Sequence, residues 1–225
     1  MTEALQHLIH AEQLSLQLFS AIEERGLIVP GKSEKELNNE VYKLAEELLG
    51  VKKFWHKRIV RSGPNTLLPY RENPPDLLLK HDDILFFDFG PILEDWEADI
   101  GKTYVIGNDI KKHQLKRDTE EAWNIGRDFY LQHKDHITGA EFYAFTQELA
   151  KKFGWTYGNE HCGHLIGKFP HEKISGEIVT NYIHPDNHEK MSKTDRNGQT
   201  RYWIYEIHFT DPERKIGGFF EKMMY

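Results

Sequence analysis

The chain has 225 residues, of which 39% are hydrophobic, enough to bury the core of a single α/β domain. Its formal net charge of -7 argues against nucleic acid as the main partner, because phosphate binding needs a basic surface. The single cysteine, Cys162, excludes an intramolecular disulfide, and the N-terminal segment has neither a basic start nor a long apolar core. We therefore expect a cytoplasmic protein with no membrane partner.

Two helices are predicted before residue 50. The first covers residues 3–25 and ends at Gly26. The second begins with a capping box formed by Ser33 and Glu36 and ends at Gly50. The apolar spacing predicts that its buried face consists of Leu37, Val41, Leu44 and Leu48.

An antiparallel hairpin with two aspartates is predicted next, after a strand at residues 54–62 whose basic face we expect in water. Asp88 lies in the apolar run ILFFDFG, and Asp99 lies in a strand-like stretch that follows Gly90 and Pro91. Because ten residues separate the two aspartates, we expect them to be directly opposed partners with side chains on one face. A buried carboxylate needs a metal ion, a lysine or an arginine nearby, since its desolvation is costly.

Two further helices are predicted in the second half of the chain, around residues 118–133 and from Thr138 to Gly154. Thr138 and Glu141 repeat the capping box of the second helix, and Gly154 repeats its glycine stop. The expected buried face consists of Phe142, Phe145 and Leu149. This repetition favours two similar halves, although any two amphipathic helices resemble each other.

A histidine motif, HCGHLIGKFPHE, covers residues 161–172. His164 and His171 flank a segment that favours a turn, and histidine is the commonest side-chain ligand of metals. Cys162 lies inside the motif, and we expect it to have a packing role because no separate base and orienting group accompany it. The polar residues 184–200 predict a surface loop.

Glu206 and Glu221 each interrupt a strand pattern near the C-terminus. Taken singly, each acidic residue or histidine has an ordinary structural explanation. Together they form an ordered set that suits two divalent first-row ions sharing bridging carboxylates. Carboxylates at close range raise one another's pKa values, so four of them around one pocket need such cations. The set consists of Asp88, Asp99, His164, Glu206 and Glu221.

The segment CGHLIGKFPHE and the order of these residues resemble the metallopeptidases of the methionine aminopeptidase, prolidase and Xaa-Pro aminopeptidase group along nearly the whole chain. The resemblance implies an α/β (α+β) protein with the pita-bread (creatinase/aminopeptidase) fold. This fold is a curved antiparallel sheet flanked by helices, with pseudo-twofold halves. The resemblance also implies that residues 1–225 form a single catalytic domain without the extra N-terminal domain of prolidase-like relatives.

The roles of the site residues follow from the resemblance. Asp88 would hold one ion, and His164 with Glu206 would hold the other. Asp99 and Glu221 would bridge both ions, which we expect to be Mn, Co, Fe or Zn. A hydroxide bridging the ions would attack the peptide carbonyl, with Glu206 as general acid and base.

Substrate contacts depart from the resemblance at one place. His171 would hydrogen-bond the substrate or the tetrahedral intermediate. Relatives usually carry a further histidine near the end of SGPNTLLPYREN, where this chain has Pro69 and Tyr70. Tyr70 can donate a hydrogen bond but cannot carry an imidazolium charge, and His161 could partly replace the missing histidine.

The implied function is that of a dinuclear metal-dependent exopeptidase, which hydrolyses the N-terminal peptide bond of a peptide, with Xaa-Pro substrates as one option. The missing histidine keeps open the hydrolysis of a small amide. A binding or scaffold module without peptidase activity is the other alternative. The expected partner is a peptide or small amide substrate, with no nucleic acid and no membrane, and a homodimer stays open.

Overall fold

The computed structural model describes residues 2–171 and 179–225. The helices in these ranges are α1 (Glu3–Glu24), α2 (Glu34–Leu49), α3 (Ile110–His133) and α4 (Gly139–Phe153). The strands are β1 (Ile59–Ser62), β2 (Asp83–Phe89), β3 (Ile92–Leu93), β4 (Trp96–Glu97), β5 (Ile100–Ile106), β6 (Thr156–Tyr157), β7 (Leu165–Ile166), β8 (Tyr202–Asp211) and β9 (Ile216–Met223). Short 3-10 helices cover Gly63–Leu67 and Val179–Asn181.

The ends of α2 and α4 follow their local sequence signals. Both predicted capping boxes are present, and Gly50 and Gly154 end their helices with positive φ angles of 65° and 79°. The prediction for α3 began too late, because Asp109 accepts hydrogen bonds from the N–H groups of the first turn and starts the helix at Ile110. The predicted buried face of α2 is wrong at Leu48, which is 42% exposed.

The main sheet is antiparallel, with the order β1-β2-β5-β9-β8-β6, and β7 pairs with β8. In the first half of the chain, β1, β2 and β5 run from one edge of the sheet to its centre. In the second half, β6, β8 and β9 run from the other edge to the centre. Because each set of three strands has its own pair of helices, the two halves correspond in the pseudo-twofold manner that the sequence predicts.

Each half has its own hydrophobic core. One core packs α1 and α2 against β2 and β5, around Leu18, Leu37 and Phe87. The other packs α3 and α4 against β8 and its neighbours, around Phe142 and Tyr205. The strands between the cores meet at β5 and β9, which places the middle of the sheet where both halves contribute side chains.

The hairpin of β2 and β5 is present, but its register differs from the prediction. Asp88 pairs with Gly101, and Asp99 lies two residues before Gly101, so the aspartates are diagonal neighbours on one face and not directly opposed. The reason is the turn between β3 and β4, where Glu94 and Asp95 have positive φ angles of 49° and 68°. A two-residue turn at this place sets the register of the whole hairpin.

The segment before β1 also differs from the prediction. Only Ile59–Ser62 form the strand, and all four residues are buried. Arg61 donates hydrogen bonds to the carbonyl oxygens of Pro69 and Glu72, at 2.8 and 2.9 Å, so the expected basic face in water is wrong at this residue. Residues 184–200 contain turns and no regular element, as predicted. Among the described helices, none combines the length and the apolar character that crossing a bilayer requires.

Candidate metal centre

A row of acidic residues crosses the centre of the sheet. Asp88 on β2 pairs with Gly101 on β5, Gly101 pairs with Glu221 on β9, and Glu221 pairs with Glu206 on β8. Glycine is needed at position 101, because a Cβ atom there would lie only 2.9 Å from Cβ of Glu221 and would crowd this side chain. Asp99, just before β5, projects from the same face as Asp88. The four carboxylates are between 3% and 9% exposed.

Two histidines reach this row and converge on Asp99. Nε2 of His164 lies 3.1 Å from Oδ2 of Asp99 and 3.8 Å from Oε1 of Glu221. Nε2 of His56 lies 3.1 Å from Oδ1 of Asp99 and 3.6 Å from Oδ1 of Asp88. The ligand atoms therefore form two groups of three, each within 4.8 Å: His56, Asp88 and Asp99, and Asp99, His164 and Glu221.

His56 was missed by sequence reasoning. Its neighbours are basic and aromatic, which suggested a strand with a solvated face, but the segment instead packs against the end of the β2–β5 hairpin. The backbone N–H of Trp55 donates to the carbonyl oxygen of Gly90 at 2.9 Å, and its indole N–H donates to the carbonyl oxygen of Ala98 at 3.0 Å. The tryptophan between a phenylalanine and this histidine is the one local sign that the segment is buried.

Glu206 stands outside the two groups but lies next to them. Nδ1 of His161 lies 2.7 Å from Oε1 of Glu206, and the side-chain amide of Asn159 donates to Oε2 at 3.2 Å. The structure thus brings His161, which the sequence analysis considered as a partial substitute for a missing histidine, against the carboxylate expected to move protons. A small pocket beside Glu206 is also lined by Asp88 and Tyr70.

Tyr70 lies at the mouth of this region and is 43% exposed. Its hydroxyl oxygen accepts a hydrogen bond from the backbone N–H of Lys57 at 3.1 Å. Its ring centroid lies 5.8 Å from that of His56. The hydroxyl hydrogen can therefore still be donated.

His171 is positioned by Glu97, a residue that sequence reasoning also missed. Nδ1 of His171 contacts Oε2 of Glu97, and the backbone N–H of His171 donates to Oε1 at 3.2 Å. The ring of Trp55 lies 5.6 Å from that of His171 and 5.3 Å from that of His164. His171 is thus beside the centre, and within the described part of the chain its ion-pair contact is with Glu97. Glu172, the last residue of the histidine motif, lies outside the described residues.

The pKa values of the carboxylates reflect the free-energy cost of burying several negative charges close together. Burial, opposed by His56 and reinforced by Asp99, raises the pKa of Asp88 to about 7. Burial and the neighbouring Asp99 raise the pKa of Glu221 well above its usual value. Burial also acts on Asp99, but the adjacent imidazoles of His56 and His164 outweigh it and lower its pKa to about 2.

The two histidines of the centre both have raised pKa values. Burial disfavours the charged imidazole of His56, but Asp99 and Asp88 outweigh burial and raise its pKa to about 9. His164 behaves alike, because its hydrogen bonds to Asp99 and Glu221 outweigh burial and raise its pKa well above the usual value. The buried carboxylates thus strongly favour a positive charge next to them.

These residues fit a pair of divalent cations. Among the described residues, Oε2 of Glu221 is buried and has no hydrogen-bond partner, which is costly unless a cation meets it. Carboxylate and imidazole donors in two groups suit first-row divalent ions. Cys162 takes no part, because it is fully buried and burial raises the pKa of its thiol well above the usual value.

Comparison with known proteins gives consistent matches. The sequence model described as metallopeptidase family M24 matches residues 6–200. The chain is 27% identical to the Xaa-Pro dipeptidase of Pyrococcus horikoshii over 156 residues, which are 69% of this chain and 42% of that protein. The Xaa-Pro dipeptidase of Pyrococcus furiosus is 27% identical over 165 residues, covering 69% of this chain and 43% of that protein. The chain therefore spans about two fifths of the length of the curated relatives it matches.

Solved structures show the same fold. The prolidase of Thermococcus sibiricus superposes with a TM-score of 0.76 at 20% identity, over 98% of this chain and 55% of that one. The methionine aminopeptidase of Rickettsia prowazekii superposes with a TM-score of 0.69 at 17% identity, over 99% of this chain and 95% of that one. These likenesses concern the fold alone, and they confirm the pita-bread architecture expected from the sequence.

Proposed function

The chain belongs to metallopeptidase family M24, and on this basis we propose that it is a dinuclear metal-dependent exopeptidase that hydrolyses the N-terminal peptide bond of a short peptide. The observation that carries the proposal is the row of buried carboxylates across the centre of the sheet, with two imidazoles that converge on Asp99. Such a set is unfavourable unless cations offset its charge.

The ligand roles in this proposal follow the geometry. Asp88 lies in one group of ligand atoms, His164 and Glu221 lie in the other, and Asp99 belongs to both. Asp99 is thus suited to bridge two ions. Glu221 lies in one group only, and its proposed role as the second bridge comes from the family resemblance. When bound, the ions would supply a water of lowered pKa and an electrophile for the substrate carbonyl.

Glu206 is proposed as a ligand of the second ion and as the group that moves protons. Nδ1 of His161 lies 2.7 Å from one of its oxygens, and the side-chain amide of Asn159 donates to the other. His171, fixed by Glu97, would hydrogen-bond the substrate. Because proton transfer by a positioned carboxylate contributes about 10²–10⁴ to the rate, loss of Glu206 should be severe.

The proposed substrate class is a dipeptide or tripeptide. Two curated relatives are named Xaa-Pro dipeptidases, which makes Xaa-Pro compounds the first class to test. A small amide is the second candidate, because the neutral Tyr70 stands at the mouth of the site. We further propose that these residues act within one catalytic domain.

The test is a metal-reconstituted screen. The chain is stripped with chelator, supplied separately with Mn²⁺, Co²⁺, Fe²⁺ or Zn²⁺, and assayed against dipeptides, tripeptides and small amides, including Xaa-Pro and Met-Xaa peptides. We expect cleavage with at least one ion, and Glu206→Gln should lower kcat at least about 100-fold.

Glu148→Gln, on the exposed side of α4, is the matched control and should keep full activity. Circular dichroism of both variants checks the fold. Undiminished turnover by Glu206→Gln would remove its assigned role. Absence of both ion binding and cleavage in the wild-type chain would favour a binding module instead.

A further inference from the structure

His56 and His164 make matching contacts from opposite sides of Asp99. Nδ1 of His56 lies 2.8 Å from the carbonyl oxygen of the next residue, Lys57, and Nδ1 of His164 lies 2.9 Å from that of its next residue, Leu165. A carbonyl oxygen only accepts, so Nδ1 carries the hydrogen in both rings. In the neutral imidazole, Nε2 then presents its lone pair to the carboxylates. This is the arrangement in which ligating histidines are usually held.

The distances from Nε2 fit ligation. Each Nε2 lies 3.1 Å from a different oxygen of Asp99. Two donor atoms that share an ion at about 2.1 Å lie about 3 Å apart when their bonds to it are perpendicular. Nε2 of His56 also lies 3.6 Å from Oδ1 of Asp88. His56 thus faces Asp88 and one oxygen of Asp99. His164 faces Glu221 and the other oxygen of Asp99.

The chain provides a specific seat for the imidazole of His56. The side chain is 9% exposed. A Cβ atom at position 90 would lie 2.1 Å from Cδ2 of His56 and 2.5 Å from Nε1 of Trp55, so Gly90 is what allows both rings to pack there. Trp55 is anchored to the hairpin by two hydrogen bonds. A side chain held this way has little freedom to point elsewhere.

We propose that His56 is a ligand of the ion held by Asp88, so that each of the two ions has one imidazole ligand. This inference rests on the proposed dinuclear function and adds a sixth ligand to the five predicted from the sequence. A ligand differs from a counter-charge in how it uses the imidazole. As a counter-charge, His56 would contact the carboxylates only while its imidazole is protonated, whereas as a ligand it would bind the ion through Nε2 of the neutral ring.

The first test measures ion binding by calorimetry, with Mn²⁺ added to the metal-stripped chain. The wild-type chain should bind two ions. His56→Gln and His164→Gln should each weaken one of them at least about tenfold. His184→Gln is the matched control, because His184 contacts Asp186 outside the cluster and its loss should leave both ions in place. Thermal unfolding in EDTA shows whether each variant is folded.

The second test counts ligated imidazoles directly. In the Co²⁺-loaded chain, the exchangeable Nδ1 hydrogen of each ligated histidine gives a hyperfine-shifted proton resonance. We expect two such resonances in the wild-type chain and in His184→Gln, and one in each of the other two variants.

The outcomes separate the two proposals. If the wild-type chain binds two ions but shows one resonance, which disappears only in His164→Gln, His56 is not a ligand and the proposed function stands. If both ions bind His56→Gln as tightly as the wild type, the inference is likewise overturned. If the wild-type chain binds no ion, the proposed function itself fails.

Discussion

At the scale of single residues, Asp99 organises the centre. Each of its oxygens faces one histidine, and both groups of ligand atoms include it. Its pKa is lowered to about 2, while burial and neighbouring charges raise that of Asp88 to about 7. Two aspartates on one face of a hairpin thus differ in charge state because only Asp99 lies between both imidazoles.

This arrangement predicts how the stability of the metal-free chain depends on pH. From pH 3.8 to about 7, the folded chain keeps a proton on Asp88 that the unfolded chain has lost, and from 6.5 to about 9 the same holds for His56. Stability falls with rising pH wherever the folded state binds more protons. In EDTA, the free energy of unfolding should therefore fall between pH 5 and 9 by at least about 1.4 kcal/mol, the equivalent of one pKa unit.

Urea unfolding at each pH measures this dependence. Asp88→Asn is the informative variant, because it should make the decrease below pH 7 shallower, while Glu221, whose pKa is also raised, keeps part of that decrease. A rise in stability across this range in the wild-type chain would contradict the assigned charges.

The sequence identified the residues with unusual surroundings but not the one hidden in an ordinary context. Asp88, Glu206 and Glu221 interrupt apolar strand patterns, so their burial could be predicted. His56 lies among aromatic and basic residues, and only its tertiary contact with the end of the β2–β5 hairpin brings it to Asp99. Glu97 was missed for the same reason, because His171, whose backbone N–H donates to its carboxylate, is distant in sequence.

At the scale of elements, local signals determined the helices and long-range pairing determined the sheet. A capping box and a glycine stop each depend on residues within one helical turn of the helix end that they mark, so α2 and α4 could be predicted almost to the residue. The register of the β2–β5 hairpin could not, because it depends on which two residues form the turn. The two-residue turn at Glu94 and Asp95 placed Gly101, not Asp99, opposite Asp88.

This turn predicts a stabilising substitution. Glu94 and Asp95 both have positive φ, which is unfavourable for residues with a Cβ atom, and both are exposed. Replacing them by Asn and Gly, the pair favoured in such turns, should raise the free energy of unfolding by about 1 kcal/mol without changing ion binding. Urea unfolding and Mn²⁺ calorimetry measure the two effects.

Lys134→Gly is the matched control. Lys134 is exposed with a φ of -52°, so glycine there relieves no strain and should lower stability. Equal destabilisation by the turn substitution and the control would contradict the turn geometry that sets the register of the hairpin.

At the scale of the whole molecule, the centre lies where two halves meet, each of which has its own main hydrophobic core. The first half contributes Asp88 and Asp99, and the second contributes His164, Glu206 and Glu221. The duplication could be proposed from the repeated capping boxes, but the junction could not, because the pairing of Gly101 with Glu221 links residues far apart in the chain. Ions bound at this junction would hold the two halves together.

The central claim is that this junction binds two divalent ions. The most direct measurement is manganese anomalous scattering from crystals of the wild-type chain grown with Mn²⁺. We predict two peaks about 3.5–4 Å apart, one beside Asp88 and one beside His164, with Asp99 reaching both. Crystals that show no manganese peak among these residues, at concentrations that saturate binding in solution, would contradict the account.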